Sequence, residues 1–414
     1  MAGHNGHGGR VFEAAQLLGT DYRELLDFSA NLNPFGYPSS VQAAMQEGLS
    51  RAAFYPDPSQ RALRAAIAEA EQVSPAWVMA GAGAADVIFR LCYGLRPARG
   101  LVCAPSFLEY GRALTAAGAK ILYAAAEETP VKVTDAVGQM AAGNQEKFSG
   151  KRIVLDDRKS SRTDKDCAYR LRKSRLFDEL QSGDVAFLCN PNNPTGLFVE
   201  PDWGLAFLAK CRERGITVVM DECFLDFTGQ EKARSWKPYL NEYPNLVLLK
   251  SFTKLFAMPG IRLGYLLTAN EALICQAEQA GQAWGMSCVA ESAGIAAAKA
   301  HDDWAAQTSR AIRPLREKLK TGLEALGFSV KNGQANFLCF HAPGYPDLEQ
   351  RLHSVGRIFS ARTTPWAARS AAVPSYSTFP LSGSVRRYLY TIIRRCPPAS
   401  RPGALRSHAS PAGA

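Results

Sequence analysis

Short apolar runs alternate with longer amphipathic stretches through the middle of the chain. Six runs read as strands: Gly100–Ala104, Lys120–Ala124, Asp184–Cys189, Ile216–Met220, Asn245–Lys250 and Arg262–Leu267. Helical spacing fills several gaps between them, as in Trp203–Arg214, which Gly215 closes as a C-cap would. This alternation predicts an α/β fold with a mainly parallel, doubly wound sheet. Ligands of such sheets bind beyond the carboxyl ends of the strands, so the residues that follow each run are the first functional candidates.

Those residues are unusual. Asp184–Cys189 is followed by Asn190-Pro191-Asn192-Asn193-Pro194-Thr195-Gly196, where two prolines fix the backbone and present amides at a strand end. Ile216–Met220 leads into Asp221-Glu222, and Asn245–Lys250 into Ser251-Phe252-Thr253-Lys254, with Arg262 eight residues on. Upstream, Ala80-Gly81-Ala82-Gly83-Ala84-Ala85-Asp86 is a glycine-rich turn into the helical pattern Val87–Cys92, a ready anion site. Singly, each has a bland account as loop, cap or surface lysine. Together, a helix N-terminus, two hydroxyls and an arginine make a phosphate cup. A lysine, a carboxylate and an asparagine at neighbouring strand ends suit an aromatic ring bearing an aldehyde, a pyridine nitrogen and a phenol oxygen. That inventory describes pyridoxal 5'-phosphate linked to Lys254, with Asp221 keeping the ring nitrogen protonated.

Composition narrows the setting. The 414 residues are 47% hydrophobic and 21% charged, which excludes wholesale disorder. No stretch approaches the ~18 continuous apolar residues of a membrane helix, and Met1–His7 lacks the apolar run of a secretory signal. A cytoplasmic protein without a membrane partner is expected. The ten cysteines and six histidines show neither a C-x-x-C pair nor zinc spacing, so the cysteines read as small buried apolar residues and no metal is expected.

The net charge of +10 invites a nucleic-acid partner until it is located. The first 349 residues balance, 38 basic against 38 acidic, whereas residues 350–414 hold ten arginines and no Lys, Asp or Glu. The body is neutral, and no nucleic-acid partner is expected. Residues 357–414 show no sustained period apart from Tyr388–Ile393; a disordered basic extension, a nucleic-acid arm and a stretch translated out of frame all remain open. A second basic segment, 147–175, carries eleven basic and four acidic residues and reads as a mobile surface insertion.

From about His7 to about Gly356 the sequence resembles the fold-type I pyridoxal-phosphate enzymes of aminotransferase class I/II, through Asn190–Gly196 and Ser251–Lys254 with Arg262. The resemblance implies a large cofactor domain, 46–274, and a smaller α+β domain made from both termini, 1–45 and 275–356. It implies that Lys254 carries the cofactor, Asp221 pairs with the ring nitrogen, Asn193 contacts the phenolic oxygen and Phe107 stacks on the ring. Gly83, Ala84, Ser251, Thr253 and Arg262 would bind the cofactor phosphate. Tyr55 would reach the neighbouring subunit's phosphate, which implies a homodimer.

Within the family two groups compete, histidinol-phosphate aminotransferases and the threonine-phosphate decarboxylases of cobalamin synthesis. His7-Gly8-Gly9 and Asp27–Pro34, which contains Asn31, are similar to the decarboxylases; these residues would meet the phosphate of a small phosphorylated amino acid. Phe224 stands where the aminotransferases usually carry a tyrosine that donates to the phenolic oxygen, and phenylalanine cannot donate. The expected reaction is decarboxylation of L-threonine O-3-phosphate to (R)-1-amino-2-propanol O-2-phosphate. The alternatives are a histidinol-phosphate-type aminotransferase and a homologue that binds the cofactor without turnover. The last arises because the family's C-terminal substrate-binding arginine has no recognisable counterpart. Gln334–Leu338 matches the lead-in, but the pattern is lost beyond Gly356, and Arg386, Arg387, Arg394 and Arg395 sit in no version of it.

Overall fold

The computed structural model describes residues 8–130, 167–171 and 176–342, together with 345, 348, 357–358, 360–361 and 369–372. In chain order the strands are β1 (Leu26–Asp27), β2 (Val78–Gly81), β3 (Arg99–Ala104), β4 (Lys120–Pro130), β5 (Cys167–Leu171), β6 (Val185–Cys189), β7 (Phe198–Val199) and β8 (Thr217–Asp221). They continue with β9 (Leu246–Ser251), β10 (Gly264–Leu267), β11 (Ser329–Val330), β12 (Phe337–His341), β13 (Arg357–Ile358), β14 (Ser360–Ala361) and β15 (Arg369–Ala372). All six strands expected from the apolar runs are present, each with ends shifted by a residue or two except β4, which runs on to Pro130.

Nine strands form one sheet in the order β2-β10-β9-β8-β6-β3-β4-β5-β7. The pairs β3–β4, β3–β6, β6–β8, β8–β9 and β5–β7 are parallel. From β3 the chain moves outward to β4 and then returns to the other side of β3 as β6, so the order reverses between β3 and β6. That reversal opens a crevice at the carboxyl ends of the strands. β10 departs from the parallel plan. The helix Phe252–Leu255 and the turn Pro259–Ile261 send the chain back antiparallel to β9 and β2, which aligns Gly264 with both Ser251 and Gly81.

Both faces are covered, so the central strands are apolar throughout rather than alternating. Val219, Val247 and Leu249 face a core with Tyr110, Phe187 and Phe224; Val218, Met220 and Leu248 face the opposite one. Asp221 continues the first series, and Lys250 the second. A third core joins Phe28 from the N-terminal arm to Leu319, Leu323, Phe328, Leu338 and Phe340.

Two expected boundaries shift. Cys167–Leu171, placed inside a mobile basic insertion, is a sheet strand antiparallel to β4, with Ala168 and Tyr169 buried. The Tyr169 hydroxyl donates to the Cys189 carbonyl at 2.7 Å and accepts from its N–H at 3.0 Å. Its few apolar positions sit among arginines, which hides the period. Likewise part of the atypical tail pairs: β13 lies parallel to β1, and β15 antiparallel to β12 and β14. The remainder of both segments, including Tyr388–Ile393 and the four tail arginines, lies outside the described residues.

The face opposite Asp221 carries a buried network of charges. Glu71 accepts from Lys250 at 2.7 Å, from the Tyr265 hydroxyl at 2.6 Å and from Lys237 at 2.9 Å. Glu222 accepts from Trp236 N at 2.6 Å and Ser235 at 2.8 Å. His301, which opens the helix His301–Glu324, lies 3.4 Å from Asp226 and 3.1 Å from Asp302. Burial alone disfavours a charged imidazole, but the attraction of Asp226, helped by Asp302, overrides it and lifts His301 from 6.5 to about 10. A raised folded-state pKa gives stability that is complete below the unfolded value and lost as pH climbs through the folded one. The melting temperature should therefore fall between about pH 7 and about pH 10, on the order of 5 °C, and His301→Gln should flatten that slope. Thermal melts of both proteins across this range are the check; parallel slopes would remove His301 as the cause.

Candidate active site

Asp221 ends β8 with a buried carboxylate. Its Oδ1 accepts from the Cys223 N–H at 2.9 Å and its Oδ2 from the Tyr110 hydroxyl at 2.5 Å. Burial pushes its pKa up, opposed by those donors and by the charge of Lys254. A buried carboxylate in this state gains from a cation placed against it. Tyr110 was not singled out from sequence. It lies one helical turn beyond Phe107 on the helix Leu108–Ala116, and that spacing was the available signal. Its ring stacks on Phe187 at 4.9 Å and meets Phe107 edge-on at 5.7 Å.

Lys254 sits on the short helix Phe252–Leu255, which Ser251 caps through its hydroxyl to the Thr253 N–H. Burial lowers the Lys254 pKa and Arg262 adds to it, while Cys223, Asp221 and Asp27 pull the other way. The amine is thereby biased toward its neutral, nucleophilic form. Its Nζ lies 5.7 Å from the centre of the Phe224 ring, which packs edge-on against Phe337. Phe224 thus offers the lysine a π face and no hydrogen bond.

The expected phosphate cup is assembled from three chain segments. Gly83 precedes the helix Ala84–Leu95 at φ +93, and a Cβ there would meet Arg262 Nη2 at 2.6 Å. A Cβ on Gly264 would meet Ala84 N at 2.5 Å. The first N–H groups of that helix have no intrahelical acceptor. Asp86 is turned away from them, accepting from Ala82 N at 2.9 Å and lying 3.7 Å from Arg90. Ser251 and Thr253 share a hydroxyl contact of 2.6 Å and are buried beside this turn. Arg262, itself at φ +61, remains exposed.

The three asparagines after β6 separate by their partners. Asn190 donates to the Arg234 carbonyl and accepts from Val199 N; Asn192 donates to the Pro105 carbonyl and accepts from Thr195. Asn193 is half-buried, and its amide has no partner among the described residues. Of the three it is the one whose amide is free to meet a ligand. Phe107, half-buried, precedes the Tyr110 helix.

Other expected residues lie elsewhere. Tyr55 is 80% exposed and packs on Trp284 at a ring separation of 4.8 Å. Asn31 is buried in the N-terminal arm, and two residues later Asn33 takes hold of the lysine helix. The Asn33 N–H donates to the Lys254 carbonyl at 3.0 Å, and its amide to Leu255 O at 2.8 Å and Thr308 at 2.9 Å. Gly8 and Gly9 lie against Ser29. His7 lies outside the described residues. Among the described residues no cluster of His, Cys, Asp and Glu suits a metal, and no helix is long and apolar enough to cross a membrane. Cys92, Cys103, Cys189, Cys211, Cys223, Cys288 and Cys339 are buried free thiols, and Cys275 is an exposed one.

The donor set fits pyridoxal phosphate: a glycine cradle without room for a Cβ, an amine, a buried carboxylate seeking a cation and one unpartnered amide. Residues 23–352 match the sequence profile described as aminotransferase class I and II. The chain belongs to that family. Membership bears out the expectation of an enzyme using pyridoxal phosphate. A threonine-phosphate decarboxylase of Salmonella typhimurium is 32% identical over 352 residues, covering 84% of this chain and 85% of that protein. A histidinol-phosphate aminotransferase of Bacillus velezensis is 28% identical over 347 residues, covering 81% and 82%. The solved histidinol-phosphate aminotransferase of Clostridium acetobutylicum shares the fold, with a TM-score of 0.70 at 22% identity, covering 90% of this chain and 99% of that one.

Two substitutions probe this geometry. Tyr110→Phe leaves a buried Asp221 oxygen without its donor, which should cost about 1–3 kcal/mol of stability by chemical denaturation. Gly83→Ala forces a Cβ against Arg262 at an unfavourable φ and should weaken pyridoxal phosphate binding by ~10-fold or more, read by spectroscopic titration of the apoenzyme.

Proposed function

We propose that this enzyme decarboxylates L-threonine O-3-phosphate to (R)-1-amino-2-propanol O-2-phosphate, a lyase step of cobalamin biosynthesis. The observation that carries the reading is the N-terminal arm. Asn33 binds the arm to the lysine helix itself, and the same arm bears Asn31, a buried amide with no partner among the described residues, and holds Gly8 and Gly9. The Gly8 N–H, left without a partner among the described residues while Gly9 is held by Ser29, and a free carboxamide suit a phosphate. Phe224, which has no hydroxyl, and the 32% identity to a threonine-phosphate decarboxylase agree with it.

Bound in this site, pyridoxal phosphate supplies an electron sink for the bond that breaks. Lys254 would provide the amine that holds it, and its Nζ would carry the proton that the substrate carbon takes up. Asp221, kept in place by Tyr110 and Cys223, holds a proton on the ring nitrogen. Asn193 donates to the phenolic oxygen, Phe107 covers one ring face, and Gly83, Ala84, Ser251, Thr253 and Arg262 hold the cofactor phosphate. His7, Gly8, Gly9 and Asn31 hold the substrate phosphate and so orient the carboxylate bond for cleavage.

A cytoplasmic homodimer completes the reading. Phe54 and Tyr55 are 74% and 80% exposed beside a half-exposed Trp284, an aromatic ledge fit for a second subunit. The cofactor-loaded protein should release carbon dioxide from L-threonine O-phosphate without an amino acceptor, and Lys254→Ala should reduce that release by at least ~100-fold. Conversion of histidinol phosphate that depends on 2-oxoglutarate, with no carbon dioxide, would replace this reading with the aminotransferase.

A further inference from the structure

The turn that follows β1 is built around one carboxylate oxygen. Asp27 is buried, and its Oδ1 accepts from Ser29 N at 2.7 Å, from Ser29 Oγ at 2.6 Å and from Ala30 N at 3.3 Å. Three donors on one oxygen fix both the turn and the direction of the serine hydroxyl. With its proton committed to Asp27, Ser29 Oγ presents a lone pair outward, and the Gly9 N–H donates to it at 2.8 Å. The fit is close: a Cβ on Gly8 would lie 2.0 Å from the Ser29 carbonyl oxygen, and Gly9 holds φ +82. Only two glycines in sequence can lie down on this turn.

The other end of the same segment is anchored independently. Asn33 binds the Lys254 and Leu255 carbonyls, Leu32 N donates to Ala30 O at 2.9 Å, and the Asn336 amide reaches Leu32 O at 3.5 Å. Residues 27–33 therefore form a rigid bridge between the N-terminal glycines and the lysine helix, with Asn31 in its middle. Asp27 also acts on Lys254 through space, but its hydrogen bonds point the other way, toward the glycines.

We propose that Asp27 and Ser29 are positioning residues for substrate: a carboxylate–hydroxyl latch that seats Gly8 and Gly9 over the site and fixes where the substrate's phosphate is received. This rests on the reading that the two glycines bind that phosphate. Neither latch residue need touch the substrate. Losing the Ser29 hydroxyl leaves the charges around the lysine in place and frees the arm.

Ser29→Ala should raise KM for L-threonine O-phosphate about 2–10-fold, the worth of one hydrogen bond, with kcat unchanged. Asp27→Ala should raise KM likewise, and unlike Ser29→Ala it should also change kcat, because it removes a charge that acts on Lys254. Asp27→Asn, which keeps an acceptor oxygen for the turn, should keep KM near the parent's. Inorganic phosphate should inhibit the parent competitively and the Ser29→Ala protein correspondingly less. A readout free of turnover comes from trypsin, because Arg10 adjoins the latched glycines. Cleavage after Arg10 should be faster in Ser29→Ala and in Gly8→Ala, whose added Cβ lifts the arm without altering the turn. Inorganic phosphate should slow that cleavage in the parent only. Unchanged KM, phosphate inhibition and cleavage in Ser29→Ala would overturn the latch while leaving the decarboxylase standing. Faster cleavage with phosphate protection, in a protein that releases no carbon dioxide, would uphold the latch and reject the substrate. Faster cleavage with no change in KM or phosphate inhibition would reduce Ser29 to a structural tie and overturn the proposal.

Discussion

The active site depends on a carboxylate that the fold has made uncomfortable. Asp221 stands at the end of a buried parallel strand, where no water comes to its aid, and two donors hold it without cancelling its charge. A surface aspartate would do no such work, because solvent would screen it before it could act on a ring nitrogen. Burial that strong requires both faces of the sheet to be covered, and the strands around Asp221 are apolar on both sides for that reason. The cost of burying one charge is thus the organising fact behind the central strands' composition.

The two faces then divide the labour. On the Asp221 face lie Tyr110, Phe224 and the lysine helix, where groups are left partly unmatched so that a ligand can complete them. On the other face, Glu71, Lys250, Lys237 and Tyr265 complete one another, and Glu222 and His301 find partners too. Adjacent residues, Asp221 with Glu222 and Lys250 with Ser251, point to opposite faces because side chains alternate along a strand. One network is matched almost throughout, Asp226 Oδ1 being the exception, and holds strands in place; the other is left open to a ligand.

Much of this was legible in the sequence, for physical reasons. Central strands declare themselves as apolar runs, so all six expected from them are present, and the residues after β6, β8 and β9 were found by their position. Asn193 was assigned by resemblance alone; that Asn190 and Asn192 spend their amides on backbone groups could not be read from the sequence. What stayed hidden depends on contacts distant in sequence. Tyr110 matters only because its helix brings it to Asp221, more than a hundred residues away. β5 hides its buried residues Ala168, Tyr169 and Leu171 among arginines, and the latch at Ser29 shows only when Gly9 is seen lying on it.

The reversed course of β10 has a consequence for the order of events as the chain is made. The phosphate cup needs Gly83 and Ala84, then Ser251 and Thr253, and finally Arg262 and Gly264 alongside them. No contiguous piece of the chain contains it, and a nascent chain that stops short of β10 has an unfinished cup even when its parallel strands are complete. On the proposed placement of the cofactor, its capture would report the finished closure of the sheet rather than a local motif.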